Sequence, residues 1–399
     1  MKTKIFCLVI FFNFTSFTQI YIPGKSYFGK NNYTEYIAGS LPIIISAPHG
    51  GYLTPINIPD RTCNNPTTVR DSYTQELIRE IDSACLAIFN CHPHIIICHL
   101  DRKKLDANRN LEDGACGNNY AVEAWNDFHG FINIAKEKVK ADYQKGFYID
   151  LHGHGHPILR LELGYLFSKA ELNLSDSILN FQSYINKSSI RELVSTNKNK
   201  FTHSELLRGE FSFGNILHQN GFASVPSLTI PFPLSSEDYF SGGYNTSIHS
   251  SAIGGTINGV QIESHYTGAR DIQENRKKYA MAIAKSLKIY LLKHIFNEND
   301  LSKCVGTKVL LKDNKTEAEN VNIFPNPTKG KFTLNLKLPS KTAVNIEIYN
   351  LIGQRVYIDK IYESKTEIKF PKSAKQGIYF LKIENEGKLQ IKKLVFSLY

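Results

Sequence analysis

The 399-residue sequence has no apolar run near the roughly 20 residues that a membrane-spanning helix needs. Its first apolar run, over residues 5–12, is short and follows Lys2 and Lys4. A basic start, a short apolar run and then small and polar residues before Gln19 are typical of a cleaved secretory signal. We therefore expect residues 1–19 to be a signal peptide and the mature protein to lie outside the cytoplasm, with no integral membrane segment.

The sequence also lacks a cluster of basic residues around aromatic ones, although 47 Lys and Arg against 37 Asp and Glu give it a net charge of +10. Its basic residues are scattered along the chain, which is typical of a lysine-rich surface and not of a nucleic-acid interface. We therefore expect no nucleic-acid partner. The positive charge still favours an anionic substrate.

Paired, closely spaced cysteines of the kind that zinc ribbons use are absent as well. Cys7 lies in the predicted signal peptide, so the mature chain has six cysteines: Cys63, Cys85, Cys91, Cys98, Cys116 and Cys304. An oxidising compartment allows disulfides among them, in any of about 15 pairings. The segment 91–99 mixes cysteine with histidine but continues into an apolar run, so we interpret its cysteines as structural.

Between residues 20 and 305, short apolar runs alternate with longer amphipathic ones. The pattern predicts strands over 42–46, 95–98, 147–151, 227–230 and 260–262. It predicts helices over 71–88, 120–143, 178–192 and 272–296, the last with Tyr279, Ile283, Leu287 and Leu291 on one face. Such alternation indicates an α/β domain with a mostly parallel mixed sheet flanked by helices.

After residue 305 the pattern changes. Residues 306–320 are polar and charged and predict a linker. Strands with a period of two follow, predicted over 331–338, 344–349, 354–358, 366–370, 377–383 and 391–396. Residues 321–399 therefore predict a small all-β sandwich. This tail has no predicted helix and no titratable cluster, so any chemistry is expected upstream of it.

Four motifs of the tail form an ordered set. They are Asn-Ile-Phe-Pro-Asn-Pro at 322–327, Tyr-Asn-Leu-Ile-Gly-Gln at 349–354, Gly-Ile-Tyr at 377–379 and Lys-Lys-Leu at 392–394. As a set they resemble the C-terminal sorting domain of the type IX secretion system of Bacteroidetes. The resemblance implies the type IX secretion machinery as a partner and export across an outer membrane, to the medium or the cell surface.

Upstream, four predicted strands each end in polar residues: Pro-His-Gly-Gly at 48–51, Asp101 to Arg109, Asp-Leu-His at 150–152 and Glu263. Ligands bind outside the carboxyl ends of strands in open α/β sheets, so these residues are candidates for one site. A catalytic zinc ion takes three ligands from His and Asp or Glu and keeps one position open. His49, Asp71 and His152 suit that role. His154 can substitute for His152, because alternate residues of an extended segment point the same way.

The remaining polar residues complete a hydrolytic site. Glu263 is a candidate general base that takes a proton from water and returns it to a leaving nitrogen. Arg102 is a candidate for stabilising an oxyanion. Asn108 and Arg109 are candidates for binding a substrate carboxylate through forked hydrogen bonds.

These motifs, in this order over residues 40–275, resemble the N-formylglutamate amidohydrolase family. The matching segments are Ser-Ala-Pro-His-Gly-Gly at 46–51, Asp-Ser-Tyr-Thr at 71–74, Arg102 to Arg109, Asp-Leu-His at 150–152, Gly-Gly-Tyr at 242–244 and Gln-Ile-Glu at 261–263. The resemblance implies a fold related to zinc carboxypeptidases and aspartoacylases, a zinc cofactor, and substrate contacts from Tyr244 and His249. The family usually has Thr-Arg-His after Gly-Gly-Tyr, whereas here His249 is displaced by one residue and the arginine is missing. The resemblance therefore implies the type of reaction more firmly than the identity of the substrate.

The leading hypothesis is a secreted zinc-dependent amidohydrolase that acts on an N-acyl amino acid or small peptide near a carboxylate. A carboxypeptidase or cell-wall amidase on the same scaffold is an alternative that uses the same metal chemistry. A second alternative is a non-catalytic extracellular binding module. Binding alone needs no general base, so Glu263 together with three metal ligands favours an enzyme.

Overall fold

The computed structural model of this chain describes residues 19–302, 321–336, 343–350, 355–371, 374–385 and 388–397. They form two compact units, one within residues 1–307 and the other within 308–399. The predicted signal peptide, apart from Gln19, and the predicted linker lie outside the described residues. No helix among the described residues is long and apolar enough to cross a membrane.

The first unit contains eight strands and twelve α-helices in the described residues. The strands are β1 (Ser26–Phe28), β2 (Thr34–Ile37), β3 (Ile43–Ala47), β4 (His94–Cys98), β5 (Gly146–Gly153), β6 (Leu161–Gly164), β7 (Ser224–Val225) and β8 (Ile257–Ser264). The helices are α1 (Thr74–Phe89), α2 (Leu111–Ala115), α3 (Asn119–Tyr143), α4 (Lys169–Leu172), α5 (Asp176–Leu179), α6 (Gln182–Lys187), α7 (Arg191–Thr196), α8 (His203–Arg208), α9 (Phe213–Gln219), α10 (Tyr244–His249), α11 (Gln273–His294) and α12 (Glu298–Ser302).

The eight strands form one mixed sheet in the order β1-β2-β4-β3-β5-β8-β6-β7. Its centre, β4-β3-β5-β8, is parallel, whereas β1, β2 and β6 add antiparallel pairings. The strands β4 and β5 follow β3 in the chain, and they lie on opposite sides of β3 in the sheet. Connections that diverge in this way leave a crevice at the carboxyl ends of the strands. The predicted α/β class with a mixed sheet is confirmed.

Alternate residues of the central strands pack into two separate cores. Ile43 and Ile45 of β3 face a core shared with α1 and α11. Ile44 faces the opposite core, which Phe128 and Ile132 of α3 fill. Because both faces are covered, the strand is apolar at every one of these positions, as parallel strands usually are.

The sequence pattern located the long helices but not every short element. The segment 178–192, predicted as one helix, contains part of α5, all of α6 and the start of α7. It is rich in Asn and Ser, whose side chains compete with helical hydrogen bonds. The segment 227–230 is not a strand. The strand β7 ends immediately before Pro226, which has no N–H to extend the pairing.

The second unit is all-β. Its strands are β9 (Asn322–Phe324), β10 (Lys331–Asn335), β11 (Val344–Asn350), β12 (Arg355–Ile361), β13 (Lys365–Lys369), β14 (Gly377–Asn385) and β15 (Lys388–Phe396). They form a three-stranded sheet, β13-β10-β9, and a four-stranded sheet, β12-β11-β14-β15, with antiparallel pairings throughout. One apolar core contains Phe332 and Leu334 of the first sheet and Ile346 and Leu381 of the second. The predicted all-β tail is confirmed.

Candidate metal centre

Polar side chains at the carboxyl ends of the parallel strands meet in one cavity of about 710 Å³. His49 follows β3, and His152 and Glu263 lie opposite each other near the ends of β5 and β8. The cavity is lined by all the predicted site residues except His249. The crevice that the topology creates is therefore also where the polar residues lie.

Three of these side chains converge on a single point. The Nδ1 atoms of His49 and His152 lie 3.4 and 3.2 Å from Oδ2 of Asp71, and 3.1 Å from each other. Ligand atoms around a tetrahedral zinc ion, each bonded at about 2.0–2.2 Å, are separated by roughly 3.3 Å. The spacing of the three atoms therefore matches one zinc-sized cation.

Two buried carboxylates orient the histidines. His49 Nε2 donates to Asp106 Oδ1 at 2.6 Å, and His152 Nε2 donates to Asp150 Oδ2 at 2.7 Å. Each bond turns the Nδ1 atom of the same ring toward Asp71. Metal-ligating histidines almost always donate their second nitrogen in this way. The donor set and its supporting shell therefore fit a zinc ion.

The backbone around Asp71 holds the third ligand in place. The Asp71 amide donates to the His49 carbonyl at 3.1 Å, and the Gly153 amide donates to Asp71 Oδ2 at 3.1 Å. Tyr73, between Asp71 and α1, has φ 67°. That value is rare for a bulky residue, and such strained backbone concentrates at functional sites.

The electrostatics of the cluster favour a positive charge at its centre. Burial acts to raise the pKa of Asp71, but His49 and His152 hold that pKa well below its usual range. Burial acts to lower the pKa of His152, yet Asp150 and then Asp71 hold that pKa well above its usual range. Neighbouring carboxylates that stabilise a cationic histidine also stabilise a metal ion at the same point.

Glu263 has the features expected of a proton carrier. Its side chain is buried, and Oε1 accepts a hydrogen bond from Gln261 Nε2 at 2.9 Å, whereas Oε2 has no partner. Burial raises the pKa of Glu263 to about 8, against the opposing effect of His152 and with support from Asp71 and Glu162. A buried carboxyl oxygen without a partner costs stability, and perturbed groups of this kind concentrate at functional sites.

The predicted arginines occupy two different environments. Arg102 donates through Nε to Asp106 Oδ2 at 3.1 Å, and its Nη1 lies 3.6 Å from Asp71 Oδ1. Arg109 is 37% exposed and lies 3.5 Å from the same Asp106 oxygen. Arg102 is thus held beside the cluster, whereas Arg109 is accessible from the cavity.

Asn108 is held by the segment that carries Tyr244. Its Oδ1 accepts the Asn245 amide at 2.8 Å, and its amide packs so closely on Gly243 that a Cβ there would clash. Tyr244 begins α10 and lines the cavity. The glycine is therefore explained by the close approach of Asn108.

His249 lies elsewhere, which corrects its predicted contact with substrate. It is the last residue of α10 and is 3% exposed, and its Nε2 lies 2.8 Å from His129 Nδ1. Its ring also packs on Tyr148 of the sheet. The helical turn that separates it from Tyr244 directs it into the core behind the cavity.

His154 is in the cavity but outside the three-residue cluster. Its Nε2 donates to the Arg160 carbonyl at 2.9 Å, and it groups with His156 and Glu162. Strand alternation allowed either His152 or His154 as the third candidate ligand, and the structure places His152 beside His49 and Asp71.

Arg270 is a cavity residue that the sequence pattern did not single out. Its guanidinium donates to the carbonyls of Ser264, Ser72 and His154 and packs against Gly153. It thus connects the ends of β5 and β8 with the start of α1. No sequence motif predicts this role of Arg270, because its hydrogen-bond partners are backbone atoms far apart in the sequence.

A disulfide between Cys63 and Cys116 links the loop before Asp71 with the end of α2. Cys91 is also disulfide-bonded, whereas Cys85 and Cys98 are free and buried. None of these cysteines lines the cavity described above. Their interpretation as structural residues is consistent with this placement.

Comparisons with known proteins support a sorting role for the tail. Residues 322–397 match the family model described as "Secretion system C-terminal sorting domain". The predicted sorting domain is confirmed, and it implies the type IX secretion machinery as a partner. The protein is therefore one that is secreted or attached to the cell surface.

Other similarities are more distant. A solved structure of N-formylglutamate amidohydrolase from Ralstonia eutropha JMP134 covers 63% of this chain and 94% of its own, with a TM-score of 0.38 and 13% identity. Ulvan lyase NLR42 from Nonlabens ulvanivorans is 29% identical over 108 residues, which are 27% of this chain. The match spans only 20% of that relative's length. Neither similarity assigns an activity.

Proposed function

We propose that this chain is a secreted zinc-dependent amidohydrolase that cleaves an amide bond near a carboxylate in an N-acyl amino acid or small peptide. Residues 20–305 would form the catalytic domain, joined through a linker at 306–320 to the sorting domain at 321–399. One observation carries the proposal. Two oriented histidines and an aspartate converge within 3.4 Å, beside a buried glutamate with an unpartnered oxygen.

His49, Asp71 and His152 would hold the zinc ion and leave its remaining position open to the cavity. When bound, zinc polarises a carbonyl and lowers the pKa of water toward about 7. Asp106 and Asp150 accept hydrogen bonds from the two Nε2 atoms, which aims the two Nδ1 atoms at the ion and favours the tautomer that can bind it.

Glu263 is the proposed general base. Its Oε2 accepts the proton of the attacking water and then returns it to the leaving amide nitrogen. Its raised pKa of about 8 suits a group that must both gain and lose a proton. A neighbouring cation would favour the ionised form and bring that pKa closer to neutrality.

The arginines suit an anionic substrate. Arg109 is accessible and can bind a substrate carboxylate through forked hydrogen bonds, with Asn108 beside it. Arg102 lies next to the metal ligands, where a positive charge stabilises the oxyanion of a tetrahedral intermediate. The cationic side of the cavity thus complements both the carboxylate and the reacting carbonyl.

The size and rim of the cavity favour a substrate that carries more than a small acyl group. Its volume of about 710 Å³ lies within the roughly 300–1,000 Å³ of pockets that hold drug-sized ligands. Val69, Phe240 and Tyr266 line it and are 74%, 43% and 43% exposed. An apolar acyl chain or apolar side chain on the substrate would cover them.

A substrate panel tests the proposal. Purified protein with zinc, after chelation and after zinc is restored, is assayed on N-acyl amino acids, on the matching N-acyl amines without a carboxylate, and on peptides with free or amidated C termini. We expect chelator-sensitive hydrolysis that requires the carboxylate. Hydrolysis that persists without metal, or no hydrolysis of any amide, would contradict it.

The same panel, with muropeptides added, distinguishes the alternatives. A carboxypeptidase cleaves only the peptides with a free C terminus, and a cell-wall amidase cleaves muropeptides in preference to both sets. A binding module shows saturable binding of a ligand with no product.

A further inference from the structure

His156 lies in the cavity but has no part in the proposed hydrolysis. It lines the cavity, and its side chain is 19% exposed. The hydrogen bonds of His156 involve its amide and its Nδ1 atom, and no partner of its Nε2 atom is found among the described residues. One nitrogen of a ring that lines the cavity is therefore available to a ligand.

A buried carboxylate fixes the orientation of this ring. Glu162 is 1% exposed, and its Oε1 atom accepts a hydrogen bond from His156 Nδ1 at 2.8 Å. Its Oε2 atom accepts the Phe240 amide at 2.8 Å, and the Phe240 ring stacks on the His156 ring with centroids 4.7 Å apart. Burying a carboxylate costs free energy unless hydrogen bonds compensate, and here both bonds hold residues that line the cavity. This arrangement preorganises His156 for a contact with a ligand.

The strand order places Glu162, and His156 with it, on the side of Glu263 away from the metal ligands. Glu263 of β8 has His152 of β5 as its neighbour on one side and Glu162 of β6 on the other. Neighbouring strands are about 4.8 Å apart, so Glu162 and His152 are separated by roughly 10 Å along the sheet. Arg109 follows β4, which lies beyond β5. A substrate with its carboxylate at Arg109 and its carbonyl at the metal centre would direct its acyl part toward His156.

We infer that His156 is a specificity-determining residue whose Nε2 atom forms a hydrogen bond with a polar atom in the acyl part of the substrate. The inference rests on the proposed function and extends it from the carboxylate to the opposite end of the substrate. Because Nδ1 donates to Glu162, a neutral ring offers Nε2 as an acceptor and a protonated ring offers it as a donor. An amide in the acyl part suits both forms, since it has an N–H and a C=O. The exposed Phe240 ring favours an acyl part that is also partly apolar.

Two matched ligands and the metal-free full chain test the inference. The N-(acetylglycyl) and N-pentanoyl derivatives of one amino acid have acyl chains of equal length, but only the first has an amide within that chain. Calorimetry measures both dissociation constants for the wild type and for His156→Phe, over acidic, basic and apolar amino acids. The variant keeps a ring that can stack on Phe240 but removes Nε2. The ratio of the two constants should shift by about three- to tenfold toward the pentanoyl ligand, the effect of losing one neutral hydrogen bond.

His92→Phe is the matched control. His92 Nδ1 lies 2.8 Å from Asp82 Oδ1, the same distance as in the pair of His156 with Glu162, but His92 does not line the cavity. This variant should keep the wild-type ratio. An unchanged ratio in His156→Phe, or no binding of either ligand for any amino acid, would overturn the inference.

A crystal structure of the metal-free wild type with the acetylglycyl ligand applies even if His156→Phe fails to fold. The oxygen or nitrogen of the acyl amide should lie within about 3.2 Å of His156 Nε2. An acyl amide bound elsewhere would overturn the inference. None of these measurements requires hydrolysis. A shifted ratio without hydrolysis of any panel amide would overturn the proposed function alone, whereas an unchanged ratio with chelator-sensitive hydrolysis would overturn the inference alone.

Discussion

The two units of this molecule differ in the number of polar side chains that they bury. The first unit buries His49, Asp106, Asp150, His152 and Glu263. In the second, Thr328 is the one buried polar side chain among those the structure describes. Burying charge costs free energy unless the charges are paired or bind a metal. The difference indicates where the chain performs chemistry and where it only folds.

The strands of the two units also differ in which of their residues are buried. In β3 every residue is buried, because helices cover both faces of the sheet. In β11, Val344, Ile346 and Ile348 are buried, whereas Asn345 is exposed. A single buried face needs only alternation, which the sequence displays directly. The central strands of the covered sheet are mainly apolar, and polar residues near their carboxyl ends form the cavity.

The largest expected effect comes from Glu263→Gln. The amide keeps the shape of the side chain but cannot accept the water proton, so kcat should fall by at least about 10²-fold. Zinc content should not change, since Glu263 is not proposed as a ligand. Steady-state kinetics and elemental analysis measure both. Glu35→Gln makes the same change at a buried carboxyl outside the cavity lining and should retain turnover. A folded Glu263→Gln protein with normal kcat would remove Glu263 from the mechanism.

Asp150→Asn should weaken zinc binding by about 10–100-fold, the usual effect of losing a carboxylate that orients a histidine ligand. An amide NH₂ facing His152 Nε2 favours the tautomer with the proton on Nδ1, where the metal should bind. Competition with a chelator measures the affinity. Asp142→Asn, in a surface pair with Lys138, is the control and should have no effect. Unchanged affinity in Asp150→Asn would mean that the orienting bond is dispensable.

Arg109→Ala should raise KM about tenfold or more for carboxylate substrates and change kcat little, if Arg109 binds the ground-state carboxylate. The N-acyl amine without a carboxylate provides the internal control, since its KM should not respond. A fall in kcat at constant KM would instead place Arg109 in the transition state.

Buried charge in the first unit should also make it sensitive to acid. Burial acts to raise the pKa of Glu35, but hydrogen bonds from His99, Arg79 and Ser26 hold that pKa at about 2. Since this pKa is below its unfolded value, the stabilisation is present above about pH 4.5 and is lost as pH falls toward 2. Glu35→Gln should lower the free energy of unfolding by about 1–3 kcal/mol at pH 7 and flatten its pH dependence in that window. Chemical denaturation at several pH values measures this, and an unchanged slope would contradict it.

The smallest effect on activity is expected from deletion of residues 321–399. Every residue that lines the cavity lies between positions 49 and 270, so kcat and KM in vitro should be unchanged. Secretion from the native host should be lost, since the deleted segment carries the sorting domain. Immunoblots of medium and cells measure the second outcome. A soluble truncated protein without activity would show that the tail contributes to the enzyme.

Much of the fold was predictable because the signals are local. The helix predicted over 272–296 is α11, and all four residues of its predicted face are buried. The outer strands β1, β2, β6 and β7 were missed. They are two to four residues long, too short for a period to be recognised, and the pairings of β2 with β4 and of β6 with β8 join distant segments.

By itself, the sequence determined the sorting tail, the long helices, the central strands and the residue types available for a metal site. Each follows from neighbours along the chain, through periodicity or an ordered motif. Only the tertiary structure decided that His152 and not His154 joins His49, that His249 lies behind the cavity, that Cys63 pairs with Cys116, and that Glu162 lies opposite Glu263. These outcomes depend on strand register and on the direction of each side chain. Packing between segments far apart in the chain determines the register and the side-chain directions, and no local sequence pattern predicts that packing.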